Sequence, residues 1–211
     1  MKKEESIIPT AILEAVAAPT AAPGGGSVAA LAGALGAALA EMVAGLTMSK
    51  SAYADVAEEM RQVRERAESL RARLAGSVQA DSDAYAAVMR AYALPKGTDA
   101  EKAARRDAIQ SALLGASEVP MEVAQMSVEV LQLAREVAAK GIATAVCDSG
   151  VAGYMAHAAL RGALLNVEVN VRDIKDAKTA ATLRAEEASL REQGAALADE
   201  IDRLVAARLS S

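Results

Sequence analysis

The apolar residues of this chain are almost all small or aliphatic, and this feature limits its fold more than any other. Hydrophobic residues make up 53% of the sequence, whereas aromatic residues make up 2%, and Phe and Trp are absent. A core must therefore be built from Ala, Leu, Val and Met. Alanine is the strongest helix former, and small side chains let helices approach one another closely. The composition predicts an all-α protein.

Apolar residues recur at alternating steps of three and four, as they do on one face of an amphipathic helix. Leucines repeated every seven residues near the C-terminus predict a long last helix that packs on one neighbour. The segment 166–171 alternates with period two, which is typical of a strand, but it would have no partner strand, so a helix is preferred. The whole chain, residues 1–211, is expected to form one domain, a bundle of about seven to nine helices. The helices predicted before the last one span residues 6–18 (with Ser6 as a possible cap), about 27–48, 53–92, about 99–116, 119–137 (with Lys140-Gly141 as the stop signal) and, from a cap at Asp148 or Ser149, to about 161.

Charge and composition disfavour several classes of protein. The net charge is −5 and no basic patch stands out, so nucleic acid is not an expected partner. The single cysteine, Cys147, excludes an intrachain disulfide, and the single histidine, His157, excludes a zinc site built from several imidazoles. No metal and no tightly bound cofactor is expected. The charged N-terminal residues lack the apolar core of a signal peptide, which predicts a cytoplasmic location.

A membrane span is also disfavoured. No charged residue occurs between Glu14 and Glu41. Pro19, Pro23 and the glycines divide this run, however, and leave a helix of about fourteen residues, or roughly 21 Å, against a hydrocarbon core of roughly 30 Å. A buried core helix is the preferred interpretation.

The segment from Ala22 to Ser27, Ala-Pro-Gly-Gly-Gly-Ser, is a candidate binding turn. Its three glycines let the backbone approach a ligand closely, and Ser27 can cap the helix that follows, whose free N–H groups favour an anion. The alternative is a flexible turn before a buried helix. The spacing matches neither a dinucleotide fingerprint nor a P-loop.

Asp81 is the polar residue that is hardest to explain structurally, because it occupies an apolar-stripe position between Val78 and Tyr85. A carboxylate that faces a core costs free energy to ionise unless it is paired. A salt bridge, a break in the helix near Gly76 and a functional acid all remain open.

Other polar residues can have either a structural or a functional role. Asp148 is either a helix N-cap or a second functional carboxylate. Lys96 and Arg105 are either solvated or ligands for an anion. His157 is expected to be packed, and Cys147 to be a small buried or half-buried residue.

Taken together, these segments resemble the cyclodeaminase/cyclohydrolase family, which comprises the C-terminal half of formiminotransferase-cyclodeaminase and free-standing bacterial methenyltetrahydrofolate cyclohydrolases. The resemblance covers roughly residues 20–175, in the family's order and spacing. Two positions depart from the pattern: Ile142 follows Gly141 where Asn is frequent, and Cys147 stands where Ser commonly precedes the Asp. The matching residues are Ala22–Ala30, Asp81, Leu94–Lys96, Thr98, Glu101–Lys102, Arg105, Val119–Pro120, Gly141, Asp148, Gly162–Ala163, Asn166–Val167 and Asn170–Val171.

The resemblance implies an all-helical fold that assembles as a homodimer or a higher homo-oligomer. It implies a tetrahydrofolate substrate with a one-carbon unit between N5 and N10. The preferred activity is that of a cyclohydrolase, which adds water to the methenyl bridge. The alternatives are a formiminotetrahydrofolate cyclodeaminase that releases ammonia and a non-catalytic folate-binding or scaffold subunit.

The resemblance also implies roles for individual residues. Asp81 is the candidate general acid/base, and Asp148 is the candidate second carboxylate that orients water or an amine. Asn166 and Asn170 are candidates for hydrogen bonds to the pterin or the reacting amidine. The candidates for binding the glutamate carboxylates of folate are the amides of Gly24, Gly25, Gly26 and Ser27, together with Lys96 and Arg105.

Overall fold

The computed structural model of the chain describes residues 10–210, and these form six α-helices and two short 3₁₀ helices with no β-strand among them. The all-α prediction is confirmed, although six α-helices are fewer than the seven to nine expected. The predicted start of the first helix, with Ser6 as its cap, lies outside the described residues. The α-helices are α1 (Thr10–Ala17), α2 (Gly25–Met48), α3 (Ala57–Tyr92), α4 (Asp99–Lys140), α5 (Val146–Val171) and α6 (Ala177–Leu209), and the 3₁₀ helices are Ser51–Val56 and Ala143–Ala145.

Helix α2 lies between α3 and α5 and runs antiparallel to both. Its start lies beside Asp81 of α3 and Asn166 of α5, whereas its later turns lie beside Arg64 of α3 and Ala152 of α5. Helix α4 packs behind α2, α3 and α5, and α6 packs on α4 and α5. The predicted long last helix is present, but it contacts two neighbours rather than one.

Glycines set the close spacing of α2 to its neighbours. A Cβ atom at Gly33 would come within 3.2 Å of Leu74 and 3.3 Å of the side chain of Ala159. A Cβ at Gly36 would lie 2.9 Å from the carbonyl oxygen of Ala152. The small residues of the sequence therefore do what the composition predicts, since they let backbones approach each other at the centre of the bundle.

The predicted helices 99–116 and 119–137 are one continuous helix, α4, with Pro120 inside it. A proline has no backbone N–H, so the carbonyl of Ala116, four residues earlier, loses its usual intrahelical donor. The side-chain amide of Asn170 donates to this carbonyl at 2.6 Å. This contact from α5 supplies the missing donor, which explains why the helix continues where the local sequence predicts a boundary.

Helix α5 is also longer than predicted. It begins at Val146 and continues through Val171, so the segment 166–171 is helical, as preferred over a strand. Asp148 is not the N-cap, since it lies in the first turn after Ala145, where a negative charge interacts favourably with the helix dipole.

By length and composition, α2 is the one helix in the described part of the chain that could cross a membrane, and half of its most apolar window is buried inside the protein. Its buried side packs among α3, α4 and α5, which agrees with the core helix predicted for this segment. The opposite side is exposed along its length, as Val28, Leu35 and Met42 show.

Candidate functional site at the start of helix α2

The first turn of α2 places a buried serine against a carboxylate. Ser27 is 1% exposed, and its hydroxyl donates to Oδ2 of Asp81 at 2.9 Å. The same hydroxyl lies 3.0 Å from the carbonyl oxygen of Val78 and 3.4 Å from the hydroxyl of Ser82. The prediction that Ser27 caps α2 is wrong, because the helix begins at Gly25 with Gly24 as its N-cap and Ser27 faces α3.

Gly26 is required by this arrangement. A Cβ atom at position 26 would lie 2.6 Å from Cγ of Asp81 and 2.9 Å from its Oδ2, and still closer to Oδ1. The absence of a side chain therefore lets the half-buried carboxylate lie against the α2 backbone. Asp81 makes no salt bridge within the described residues, and α3 continues unbroken past Gly76. Its partner is the Ser27 hydroxyl, so neither structural alternative considered from the sequence explains it.

Asn166 lies on the other side of the α2 start, and Asn170 follows it one turn later on α5. The amide nitrogen of Asn166 donates to the carbonyl of Gly162 at 2.8 Å and would lie 3.7 Å from a Cβ at Gly25. Its Oδ1 has no hydrogen-bond donor within the described part of the protein, so it is available to accept one. The nitrogen of Asn170 is engaged by the carbonyl of Ala116. Asn166 therefore faces the site with a free acceptor, whereas Asn170 also supports α4.

An open trough begins where α2 begins. Helix α3 extends eleven residues beyond Asp81, to Tyr92, and α5 continues beyond Asn166, while no α2 residue fills the space between them. We use "the trough" for the space that residues 81–92 of α3 border on one side and residues 166–173, the end of α5 with the turn after it, border on the other. Residues 109–116 of α4 form its floor. Tyr85, Met89 and Tyr92 are each 40% or more exposed along the α3 side. These side chains give the α3 side of the trough an exposed apolar and aromatic surface.

The far end of the trough is a cavity of about 290 Å³. The guanidinium of Arg105 donates to the Tyr92 carbonyl from Nε at 3.2 Å and from Nη2 at 3.0 Å, and lies 5.6 Å from the centre of the Tyr92 ring. Lys96 lies exposed in the loop between α3 and α4, outside the residues that line this cavity. The lining residues are Tyr92, Arg105, Arg106, Ile109, Gln110, Leu113, Asp173 and Lys175.

The two predicted catalytic carboxylates do not meet within one chain. Asp148 and Asn166 are eighteen residues apart on α5, which is five full turns or about 27 Å along the helix axis. They therefore share one side of α5, but Asp148 lies at the end of the bundle remote from Asp81. Ile142, which departs from the family pattern, lies at this remote end too, where its N–H donates to Thr47.

The glycine turn is poorly suited to the carboxylates it was predicted to bind. The carboxylate of Asp81 already lies against Gly26, and a second negative charge there would be repelled. The cations at the far end of the trough are a better match for an anion. Arg106, Gln110 and Lys175 were not predicted as site residues, although Arg106 directly follows Arg105.

The single histidine and the single cysteine lie outside the trough. His157 lies on the α6 side of α5, where burial and the nearby charge of Arg161 lower its pKa from the usual 6.5. Cys147 is exposed, so the prediction of a buried or half-buried residue is wrong. Among residues 10–210, no group of three or more His, Cys, Asp or Glu residues is arranged to hold a metal ion.

Comparison with known proteins gives a consistent set of relatives. Residues 10–189 match the family model described as formiminotransferase-cyclodeaminase. A methenyltetrahydrofolate cyclohydrolase from Methylorubrum extorquens is 46% identical over 78% of this chain and 79% of its own length. The formimidoyltransferase-cyclodeaminases of Mus musculus and Gallus gallus are 35% and 38% identical over 82% and 80% of this chain. This chain covers 32% and 31% of those two proteins, about a third of their length.

A solved structure shares the whole architecture. The formiminotetrahydrofolate cyclodeaminase of Thermotoga maritima superposes with a TM-score of 0.86 and 28% sequence identity, and the match covers 98% of each chain. The similarity therefore extends over all of the described helices.

Proposed function

The chain belongs to the formiminotransferase-cyclodeaminase family, and on this premise we propose that it is a methenyltetrahydrofolate cyclohydrolase. It adds water to the N5,N10-methenyl bridge of tetrahydrofolate and releases the 10-formyl form. The observation that carries the proposal is the half-buried Asp81 carboxylate paired with the Ser27 hydroxyl, at the end of the trough where α2 begins. The 46% identity to a relative of that name favours this reaction over others in the family.

The chemistry needs a base beside a cationic carbon. The methenyl bridge of the substrate is an amidinium cation, so the carboxylate of Asp81 attracts it and stabilises its approach. As a water oxygen bonds to the bridge carbon, Asp81 accepts a proton from that water. The bond from the carbon to N5 then breaks, and the proton passes to N5. One water is consumed and one proton is released to solvent.

The neighbouring groups position the reacting parts. The hydroxyl of Ser27 holds one carboxylate oxygen of Asp81, which leaves the other oxygen for the water. The free Oδ1 of Asn166 is placed to accept a hydrogen bond from a pterin N–H. The exposed rings of Tyr85 and Tyr92 offer apolar surface to the p-aminobenzoyl group. Acid–base chemistry of this kind needs no metal or tightly bound cofactor, and we propose that none is used.

The test follows the ultraviolet absorbance of methenyltetrahydrofolate. We expect wild-type protein to accelerate its loss and Asp81→Asn to reduce kcat by 100-fold or more, because general base catalysis contributes about 10²–10⁴-fold. The matched control is Asp83→Asn, which removes an exposed carboxylate of the same helix. Full turnover by Asp81→Asn would overturn the role of Asp81, and no turnover by the wild type would overturn the proposed activity.

The second candidate is a formiminotetrahydrofolate cyclodeaminase, which the similarity to the Thermotoga maritima structure over the whole chain favours. This reaction closes N10 onto the N5-formimino carbon and expels ammonia at the same carbon. With 5-formiminotetrahydrofolate as substrate, a rise in methenyl absorbance together with ammonia release would identify it. Folate binding without either reaction would identify a non-catalytic subunit.

We also propose that two copies of the chain associate through the exposed side of α2. Val28, Leu35 and Met42 recur every seven residues there and are 41%, 49% and 41% exposed. Helix α5, which packs beside α2, also carries exposed apolar residues, among them Val151 and Leu165. An apolar surface on the order of several hundred Å² is typical of an interaction site.

A second copy in antiparallel orientation gives Asp148 a function. Because Asp148 and Asn166 share one side of α5, a two-fold axis across the middle of α2 brings the partner's Asp148 toward the Asp81 site of this chain. The interface is self-complementary, so both sites of the dimer are completed in the same way. The prediction that Asp148 acts as the second carboxylate is retained in this form.

Subunit mixing tests the homodimer and the shared site together. Asp81→Asn and Asp148→Asn are each expected to lack activity alone. When the two variants are unfolded and refolded together, about a quarter of the wild-type activity is expected to return, because half of the dimers are mixed and each has one intact site. No recovery, or a monomer in analytical ultracentrifugation, would overturn this proposal. The cytoplasmic location stays a prediction, which cell fractionation can test.

A further inference from the structure

We propose that the cavity at the far end of the trough is a subsite for the glutamate arm of the folate, with Arg106 and Lys175 as its cationic ligands. The proposal rests on the proposed folate activity and extends it to residues with no role in the reaction at Asp81. The group to be bound is a glutamate with its two carboxylates, which an amide bond links to the p-aminobenzoyl ring.

The cavity is rich in cations for an acidic protein. It is lined by Arg105, Arg106 and Lys175, against one acidic residue, Asp173. Arg105 is already engaged by the carbonyl and the ring of Tyr92. Neither Arg106 nor Lys175 makes an ion pair or a side-chain hydrogen bond within residues 10–210. These two side chains are therefore free to bind an anionic group.

The loop that carries Lys175 is anchored to the floor of the trough. The amide nitrogen of Gln110 on α4 donates to the carbonyl of Asp173 at 3.0 Å. The backbone N–H of Lys175 in turn donates to the side-chain oxygen of Gln110 at 2.7 Å. This pair of bonds holds the segment between α5 and α6 at the mouth of the cavity, so the ammonium of Lys175 is presented from a positioned backbone.

The spacing of the two ends suits the substrate. At 1.5 Å per residue, the α3 axis advances about 16 Å from Asp81 to Tyr92, and the α5 axis advances about 7.5 Å from Asn166 to its end at Val171. In a folate, the p-aminobenzoyl amide separates the bridge carbon from the glutamate carboxylates over a comparable distance. A substrate with its bridge carbon at Asp81 therefore reaches the cavity with its carboxylates.

A larger groove elsewhere on the surface is a poorer anion site. The groove of about 610 Å³ between α5 and α6 contains Arg172, Arg184 and Arg191, but Glu168, Glu187 and Glu192 line it as well. Arg191 is paired with Glu187. The groove is thus balanced in charge, and Arg184 provides a matched control residue outside the trough.

The experiment compares two substrates that differ only in the glutamate. KM and kcat are measured for methenyltetrahydrofolate and for methenyltetrahydropteroate, which lacks the glutamate, with wild type, Arg106→Gln, Lys175→Gln and the control Arg184→Gln. Each cavity variant is expected to raise KM for the folate about tenfold, the effect of losing one charge-assisted hydrogen bond, with kcat within about twofold. KM for the pteroate is expected to be unchanged, and Arg184→Gln is expected to affect neither substrate.

The outcomes separate the subsite from the activity. Equal effects of the cavity variants on both substrates, or no effect on the folate, would overturn the subsite while leaving the activity in place. If the wild type turns over neither substrate, the proposed activity fails, and calorimetry with tetrahydrofolate and tetrahydropteroate, which differ only in the glutamate, then tests the subsite. If the wild type binds the folate more tightly than the pteroate and the double variant Arg106→Gln/Lys175→Gln does not, the subsite is supported. Equal affinities of the wild type for the two ligands would overturn it.

Discussion

Replacing Gly26 with alanine tests the link between the packing of α2 and the chemistry at Asp81. The added Cβ would lie 2.6 Å from Cγ of Asp81, whereas ordinary contacts begin at 3.4 Å, so the carboxylate must move by about 1 Å. A displacement of that size in a reacting group costs roughly 100-fold in rate. We therefore expect Gly26→Ala to lower kcat by about 100-fold.

The same substitution has two opposing effects on stability. Alanine is favoured over glycine in a helix by up to about 1 kcal/mol. Displacing Asp81 loses its hydrogen bond with Ser27, and a hydrogen bond to a charged group contributes about 1.5–3 kcal/mol. The free energy of unfolding is therefore expected to fall by only about 1 kcal/mol, and the variant to remain folded.

The assay combines methenyltetrahydrofolate absorbance with urea denaturation. The control is Gly76→Ala, an exposed position of α3 where a Cβ has no atom within 4 Å, and which is expected to gain up to about 1 kcal/mol with normal turnover. In an Asp81→Asn background, Gly26→Ala is expected to cost no further activity. Wild-type turnover by folded Gly26→Ala would refute the argument that the glycine exists to accommodate the carboxylate.

Three further predictions concern stability. Thr98→Ala removes the side-chain acceptor of the α4 capping box and is expected to lower the free energy of unfolding by about 1 kcal/mol, measured by urea denaturation. An unchanged denaturation midpoint would contradict this. Burial lowers the pKa of His157, so the unfolded chain takes up this proton at a higher pH than the folded chain does. The contribution of His157 to stability is therefore complete above about pH 6.5 and is lost as the pH falls below it. The fall in Tm from pH 7 to about pH 5 is expected to be smaller for His157→Gln than for the wild type, and parallel pH profiles would contradict this. Asn170→Leu leaves the carbonyl of the buried Ala116 unpaired and is expected to lower the free energy of unfolding by about 1–3 kcal/mol. This loss is expected to exceed that of Asn166→Leu. Equal losses in the two variants would contradict the support of α4 by Asn170.

The helices were predictable where the pattern is local. The three-four stripe on either side of Asp81 predicted α3 and placed this residue on its inner side, and the structure places it against α2. The boundary at Pro120 was wrong for a physical reason, because a proline signals the loss of a donor but carries no information about a donor from another helix. Asn170 supplies that donor from 54 positions away.

The candidate site was predictable only in part. The glycines and Asp81 could be named from the sequence, yet Ser27 was assigned to the helix cap because a serine before an apolar run usually caps it. Arg106 and Lys175 were not predicted as site residues, because charged side chains are usually solvated and only the turn after α5 brings Lys175 beside α4. Asp148 was paired with Asp81 although the antiparallel packing of α2 and α5 places them at opposite ends.

By itself, the sequence determined the all-α class through its composition and the helix side on which Asp81 lies through its periodicity, because both depend on neighbouring residues. The family came from the ordered motifs, which the matching family model confirms. Tertiary structure alone decided which groups meet. Asp81 meets Ser27, and Asn170 meets the carbonyl that Pro120 leaves unpaired. Within one chain, Asp148 lies far from Asp81. These pairings depend on the direction and register in which distant helices pack. Glycine and alanine set the register of the packed helices by letting their backbones approach closely, and these contacts produce no periodic pattern in the sequence.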